Sequence, residues 1–322
     1  MIVLITGASG FLGRAVASEL VAAGHEVRAL QRTPSKVPGV TDVLGSVADA
    51  QHVADAIDGA EGVVHLAAKV SLTGDPDEFQ AVNVGGTRTL LDAAEAAGVS
   101  RFVQVSSPSV AHSGSALAGV GAEPASPAEA RGMYARTKAE SELLALSRDS
   151  ATMRVVAVRP HLVWGPGDTQ LIERIVDRAR QGRLPLLSGG TALIDTTYIE
   201  NAASGIVAAL HRTDVAHGNA YVITNGEPRP VADLLTDICL AAGVRPPRIS
   251  VPAGVGRAVG GIIERLWAIR PGADEPPMTR FLAEQLSTAH WFDQRDTRRD
   301  LDWRPTVSLD EGLSRLAEHY AA

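Results

Sequence analysis

Tyr134 and Lys138 stand four residues apart at the start of a segment, Tyr134–Leu146, that reads as helical. That spacing puts a phenol and an ammonium on one helical face. A phenol ionises near pH 10, too high to exchange protons freely at neutral pH, and a neighbouring ammonium lowers that value by favouring the phenolate. The pair therefore suits general acid–base work on a carbonyl or hydroxyl group. Alone, Tyr-x-x-x-Lys is usually an ordinary surface pair. It gains weight from Ser106-Ser107, just past the apolar run Phe102–Val105, and from Gly7-Ala8-Ser9-Gly10-Phe11-Leu12-Gly13. Glycines at that spacing allow a tight turn, close approach of backbone N–H groups to a pyrophosphate, and close helix–sheet packing. The helix that follows offers free N–H groups to the phosphates.

The elements around these residues predict where they meet. Ile2–Ile5 is wholly apolar, as in a strand buried on both faces of a parallel sheet. Phe11, Leu12, Ala15, Val16, Leu20 and Val21 recur at helical spacing up to Gly24, and Glu26–Leu30 reads as the next strand. Thr41–Leu44, a helix near Asp49–Ile57, Gly62–Leu66, a long helix from Pro76 to Gly98 and Phe102–Val105 continue the alternation. The expectation is an α/β fold, a Rossmann-type doubly wound parallel sheet, whose strand ends face a ligand crevice. At the end of the second strand an acidic residue would bind the ribose of NAD, and an arginine the 2′-phosphate of NADP. Gln31-Arg32-Thr33 and Lys36 occupy that stretch with no carboxylate in reach, so NADP(H) is expected. NAD(H) is the alternative if Arg32 is only a solvated loop cation.

Composition excludes several other classes. Thirty Lys and Arg against 37 Asp and Glu leave a net charge of −7, which disfavours a counterion-replacing face for nucleic acid. The chain is 45% apolar but only 4% aromatic, so aliphatic side chains make the core and little is left to stack a sugar or base. Cys239 is the single cysteine, which rules out an internal disulfide framework. The nine histidines show no HExxH-like spacing, and no metal is expected. Nothing approaches the ~18 apolar residues of a membrane span. Ile2-Val3-Leu4-Ile5 follows Met1 without a basic leader, and a soluble cytoplasmic protein is expected. Ser113–Pro127 is rich in Ala, Gly, Ser and Pro, and no internal repeat is visible.

Gly7-x-x-Gly10-x-x-Gly13, Asn83, Ser107 and Tyr134-x-x-x-Lys138 together resemble the extended short-chain dehydrogenase/reductase superfamily, over essentially the whole chain. Arg159–Asp168, Ile194–Asn201, Leu286–Asp293 and Trp303-Arg304-Pro305 are similar to its 3β-hydroxysteroid dehydrogenase-like branch. That branch includes bacterial 2-alkyl-3-oxoalkanoate reductases of long-chain olefin biosynthesis, whose histidine-containing segment Arg159–Asp168 resembles. The resemblance implies that Tyr134 is the general acid, that Lys138 lowers its pKa and holds the nicotinamide ribose, and that Ser107 bonds the substrate oxygen. Ser106 or Ser109 takes that place if the match slips by a step. Asn83 would support the active-site geometry, or else be a polar residue at a helix kink bonded to backbone. The implied cofactor contacts are Gly7, Ser9, Gly10, Phe11, Leu12, Gly13, Arg32, Ser46, Ala67, Ala68, Tyr134, Lys138 and Pro160. His65 reads as a packed strand residue. Family members often carry an acidic residue after the third strand, where this chain has Gly45-Ser46-Val47.

Residues 1–160 would then bind NADP and 161–322 form a smaller substrate-binding region, with about 192–224, including a strand at Tyr221–Thr224, packing back on the first half. Two features bear on the substrate. Ala192-Leu193-Ile194-Asp195 has no adjacent cation, whereas nucleotide-sugar epimerases commonly place an arginine there. Val255, Val259, Ile262, Ile263, Leu266 and Ile269 form an apolar stripe beside Trp267, which reads first as a core helix. It could instead wall a greasy channel or rest on a membrane surface near Arg270. His161 and Trp164 lie where substrate contacts are plausible, with a packed histidine the simpler reading. The expected activity is reduction of a hydrophobic ketone, a long-chain 2-alkyl-3-oxoalkanoate, to the 3-hydroxy acid. The alternatives are a 3β-hydroxysteroid or sterol dehydrogenase, a nucleotide-sugar epimerase or dehydratase, and a non-catalytic NADP-binding sensor. By resemblance the protein is a homodimer paired through the helices near Pro76–Gly98 and Tyr134–Leu146.

Overall fold

The apolar run after Met1 forms β1 (Ile2–Thr6), followed by α1 (Phe11–Ala22), β2 (Glu26–Gln31) and β3 (Val40–Leu44). The computed structural model describes residues 1–71, 74–268 and 286–321. Next come α2 (Ala50–Ile57), β4 (Gly62–His65), α3 (Pro76–Phe79), a π-helical turn (Gln80–Gly85) and α4 (Gly86–Ala96). After β5 (Arg101–Val105) lie β6 (Leu117–Val120), α5 (Gly132–Leu146) and β7 (Arg154–Pro160). The central sheet has seven strands in the order Ala220–Ile223, β7, β5, β4, β1, β2, β3, and every pairing in it is parallel. The strand order reverses at β1, which opens the crevice outside the carboxyl ends of β1 and β4.

Alternation along each strand feeds two apolar layers. Val3 and Ile5 of β1 face α1 and α7 (Ile199–His211), together with Val16, Leu20, Val103, Val156, Ile206 and Leu210. Leu4 points the other way, toward Leu90 and Leu91 of α4, with Val63, Phe102 and Val155. This double burial is why β1 and β4 carry no polar alternation. A third apolar cluster, around Trp164, Ile172, Val176, Tyr198, Leu235, Ile238 and Leu316, belongs to the second half of the chain.

The second half does not stay apart from the first. Ala220–Ile223 pairs with β7, and α7 covers α1, while Leu193–Ile194 joins a separate four-stranded sheet with Arg229–Pro230, His290–Phe292 and β6. The stretch rich in small residues, Ser113–Pro127, thus contains a strand. β6 pairs in parallel with His290–Phe292, far away in sequence. The long helix expected from Pro76 is interrupted by the π-turn and ends at Ala96. The apolar stripe forms the helix Ala253–Ala268, on which Val255 is half exposed; Ile269 and Arg270 lie outside the described residues. No helix among the described residues is long and apolar enough to cross a membrane.

Candidate active site

The turn between β1 and α1 is built by its glycines. Gly7 takes a φ of +80°, and a Cβ on it would meet the Ala67 backbone nitrogen at 2.9 Å. A Cβ on Gly13 would come within 2.1 Å of the Gly7 carbonyl oxygen, so only glycine lets α1 pack this closely on the turn. Gly10 differs: it is exposed, and its Cβ would meet only the Gly7 oxygen at 3.4 Å. The space a Cβ would fill at Gly10 lies before the first turn of α1, whose amino end has no side-chain cap. Uncapped N–H groups and the helix dipole make that space suited to an anion. Half-buried Ser9, Phe11 and Leu12 flank it. Ala67, just past β4 and followed by Ala68, lies against Gly7, and its N–H donates to Thr6 Oγ1 at 3.1 Å. The residues present fit a dinucleotide diphosphate.

Arg32 is exposed directly after β2. A carboxylate does stand near this position, contrary to the sequence reading, because β3 pairs with β2 and brings Asp42 alongside. Asp42 accepts from Gln31 Nε2 at 2.6 Å and from the Ser35 N–H at 3.0 Å, so both of its oxygens are used in holding the turn that carries Arg32. Ser46 is half-buried after β3, and its hydroxyl accepts from the Ala48 N–H at 3.2 Å. Pro160 is buried at the end of β7, in register with Ile223.

Tyr134, Lys138 and Ser107 come together across α5 and the end of β5. Tyr134 is half-buried, with its hydroxyl enclosed beside Ser107. Ser107 Oγ accepts from Ser109 Oγ at 3.0 Å, which leaves the Ser107 proton for the phenol oxygen. Ser106 is buried and its hydroxyl finds no partner among the described residues, so of the serine pair it is Ser107 that stands beside the phenol. Lys138 is 3% exposed and donates to the Val105 carbonyl at 2.6 Å. Burial pulls its ammonium down to about 8, against the Glu142 carboxylate one turn on. Burial also pushes the Tyr134 phenol up to about 12, with only the Ser107 hydrogen bond acting the other way. The expected lowering of Tyr134 by Lys138 is thus not what this structure shows, because desolvation of the phenolate outweighs what surrounds it.

Asn83 sits in the π-turn, 2% exposed. Its Oδ1 accepts from the Lys69 N–H at 2.7 Å, and its Nδ2 donates to the Lys69 carbonyl at 3.2 Å and to Thr137 Oγ1 at 3.0 Å. The irregular turn is what points this amide at both the chain after β4 and α5. His161 is a packed histidine, its Nδ1 lying 2.6 Å from the Asp195 carbonyl oxygen. Trp164 is fully buried and donates to Thr196 Oγ1 at 2.9 Å, so it belongs to the core and not to a substrate wall. Arg229 lies directly across from Ile194 on the neighbouring strand, a nearby cation that the linear sequence hides, but it is held by Asp310 at 2.6 Å and Asp237 at 3.4 Å.

Sequence reasoning missed a polar layer under the site. Thr6, His65, Gln104 and Arg159 close the α4/α5-facing side of β1, β4, β5 and β7, all buried. Arg159 forms a bidentate pair with Glu142 of α5, at 2.9 and 2.5 Å, and donates to the Glu123 carbonyl at 2.7 Å. The findable signal was a polar residue near the carboxyl end of each of four strands with apolar middles. Among the described residues no three His, Cys, Asp or Glu side chains are grouped to hold a metal ion.

Residues 3–224 match the NAD dependent epimerase/dehydratase family. The chain is 42% identical to a 2-alkyl-3-oxoalkanoate reductase of Stenotrophomonas maltophilia, over 100% of both chains. It is 32% identical to a 3 beta-hydroxysteroid dehydrogenase/Delta 5-->4-isomerase of Mycobacterium tuberculosis, over 99% of this chain and 90% of that one. Among solved structures, a short-chain dehydrogenase/reductase superfamily protein from Agrobacterium tumefaciens with bound NAD superposes with a TM-score of 0.78. The two are 26% identical over 100% of this chain and 97% of that one.

Proposed function

The chain belongs to the NAD dependent epimerase/dehydratase family, and from that premise we propose that it is an NADPH-dependent reductase of long-chain 2-alkyl-3-oxoalkanoates, forming the 3-hydroxy acid. At the coarser level it is an oxidoreductase acting on CH–OH groups through a nicotinamide dinucleotide. The placing of Ser107 beside the enclosed Tyr134 hydroxyl, with Lys138 one turn further along α5, is the observation that carries the reaction. The substrate class rests on the likeness to the Stenotrophomonas reductase along the full length of both chains. The engagement of Arg229 by carboxylates supports it, since that leaves this cation less available to a sugar-nucleotide phosphate.

Gly7–Gly13 and Ala67–Ala68 would hold the diphosphate and adenosine, and Arg32 the 2′-phosphate that separates NADP from NAD. When bound, the reduced nicotinamide supplies the hydride that the carbonyl carbon accepts. Ser107 orients the carbonyl oxygen. Tyr134, protonated at neutral pH, donates its proton to that oxygen. Lys138, mostly an ammonium at pH 7, stabilises the phenolate left behind. Asn83 fixes the π-turn against α5. Residues 161–322 would contribute the substrate-side wall. A homodimer through α4 and α5 and a cytoplasmic location are part of the same proposal; Leu143 on α5 is 44% exposed.

The deciding experiment is a cofactor-consumption assay over 2-alkyl-3-oxo acids, 3-ketosteroids and UDP-sugars, run with NADPH and with NADH. The expected result is turnover of the oxo acids with NADPH favoured. Turnover of steroids alone would move the substrate to the alternative suggested by the mycobacterial relative, and an NADH preference would overturn the role of Arg32.

A further inference from the structure

His65 is 1% exposed, and both of its ring nitrogens are engaged: Nδ1 lies 2.7 Å from Thr6 Oγ1 and Nε2 lies 3.0 Å from Thr87 Oγ1. The neighbours of those hydroxyls fix which atom donates. Thr87 Oγ1 donates to the Asn83 carbonyl at 2.6 Å, which uses its one proton. It must therefore accept from His65, which requires a proton on Nε2. Thr6 Oγ1 accepts from the Ala67 N–H at 3.1 Å, and its own proton is free for Nδ1. A single direction runs from the Ala67 N–H through Thr6, His65 and Thr87 to the Asn83 carbonyl. The Asn83 amide then donates to Thr137 Oγ1, whose proton goes to the Met133 carbonyl at 2.8 Å or the Tyr134 carbonyl at 3.2 Å. Thr137 lies between Tyr134 and Lys138 on α5.

We propose that His65 is a positioning residue: as its neutral Nε2–H tautomer it locks Thr6 and Thr87 in one direction and so ties the dinucleotide cradle at Ala67 to the Asn83 turn and the Tyr134 helix. This rests on the reading of Tyr134 and the glycine turn given above. Protonation would put a second N–H against Thr6 and reverse that hydroxyl. Burial and the nearby Lys138 ammonium both oppose that, holding the imidazole down to about 3. The Phe102 ring packs edge-on to the imidazole, 6.4 Å between centroids, and Gln104 stands beside it in register on β5. A chain of polarised hydrogen bonds is stiffer than the same groups taken separately, and small misplacements of reacting groups cost rate steeply.

The first test is the tautomer itself, read by ¹⁵N-histidine NMR of the full chain, with the His65 signal assigned by its loss in His65→Phe. The expected pattern is a neutral Nε2–H ring that does not titrate between pH 5.5 and 8. An Nδ1–H ring, or a midpoint near the ordinary histidine value, overturns the proposal. This readout needs no substrate, so failure of the proposed reduction would not be mistaken for failure here. The second test is kinetic. His65→Phe and Thr87→Val should each weaken NADPH binding and lower kcat by about 10- to 100-fold, and the double variant should be little worse than either single one. His65→Gln, with an acceptor and a donor on one side chain, should recover part of both losses. Lower melting temperatures with unchanged cofactor affinity and kcat would reduce His65 to a core residue and overturn the positioning role.

Discussion

Tyr134 keeps its proton at neutral pH because enclosure of the phenol outweighs the bond from Ser107. The phenol therefore rests in the proton-donor form that a carbonyl reduction needs. Tyr134→Phe removes the hydroxyl proposed as proton donor and little else. It is expected to lower kcat by about 10²- to 10⁴-fold while leaving NADPH affinity within about twofold of the parent, as measured by steady-state kinetics and fluorescence titration. Unchanged turnover would mean another group is the acid. The pairing of Tyr134 with Lys138 was legible in the sequence, because a four-residue spacing fixes a shared helical face wherever the helix lies. Its acidity was not legible, because desolvation is set by whatever covers the hydroxyl. Arg229 and Asp42 teach the same point: each matters through a neighbouring strand, not through adjacent residues.

At the scale of elements, β1, its glycine turn and α1 were readable because each follows a local rule: an apolar run, glycine spacing, a 3.6-residue period. The π-turn in the long helix was legible only as the alternative that Asn83 marks a kink and bonds to backbone, and its exact form was not. What stabilises it is the pairing of Asn83 with the Lys69 backbone and Thr137. β6 was hidden because its partner, His290–Phe292, is distant in the chain. The glycine turn yields a contrast between two neighbouring substitutions. Gly13→Ala drives a methyl group into the Gly7 carbonyl and is expected to cost about 1–3 kcal/mol of stability as well as cofactor binding. Gly10→Ala meets only the Gly7 oxygen, at an ordinary contact distance. It should leave urea stability within about 0.5 kcal/mol of the parent yet weaken cofactor binding, because the methyl occupies the anion space. Equal losses of stability in the two variants would show that the Gly10 space is structural and not a ligand cradle.

Over the whole molecule, three of the buried histidines set an acid limit. Burial holds His65 and His290 down to about 3 and His161 to about 4, against about 6.5 in an unfolded chain. Between those values the unfolded state binds more protons, so their contribution is intact above about pH 6.5 and lost as pH falls. At pH 5 each costs about 2 kcal/mol. Asp195, raised to about 6 by burial, runs the opposite way and returns about 1 kcal/mol over the same interval. Urea unfolding should therefore show a much lower midpoint at pH 5 than at pH 7.5, and coincident curves would contradict the burial of these rings. The pairing of β6 with His290–Phe292 has a different consequence, in time. β6 lies on the chain between Ser107 and Tyr134, yet its sheet partner is made about 170 residues after it. At roughly 5–20 residues per second the ribosome needs roughly 10–35 s to supply that partner. The segment between Ser107 and Tyr134 must wait for it, so a nascent chain carries its glycine turn well before that segment can settle.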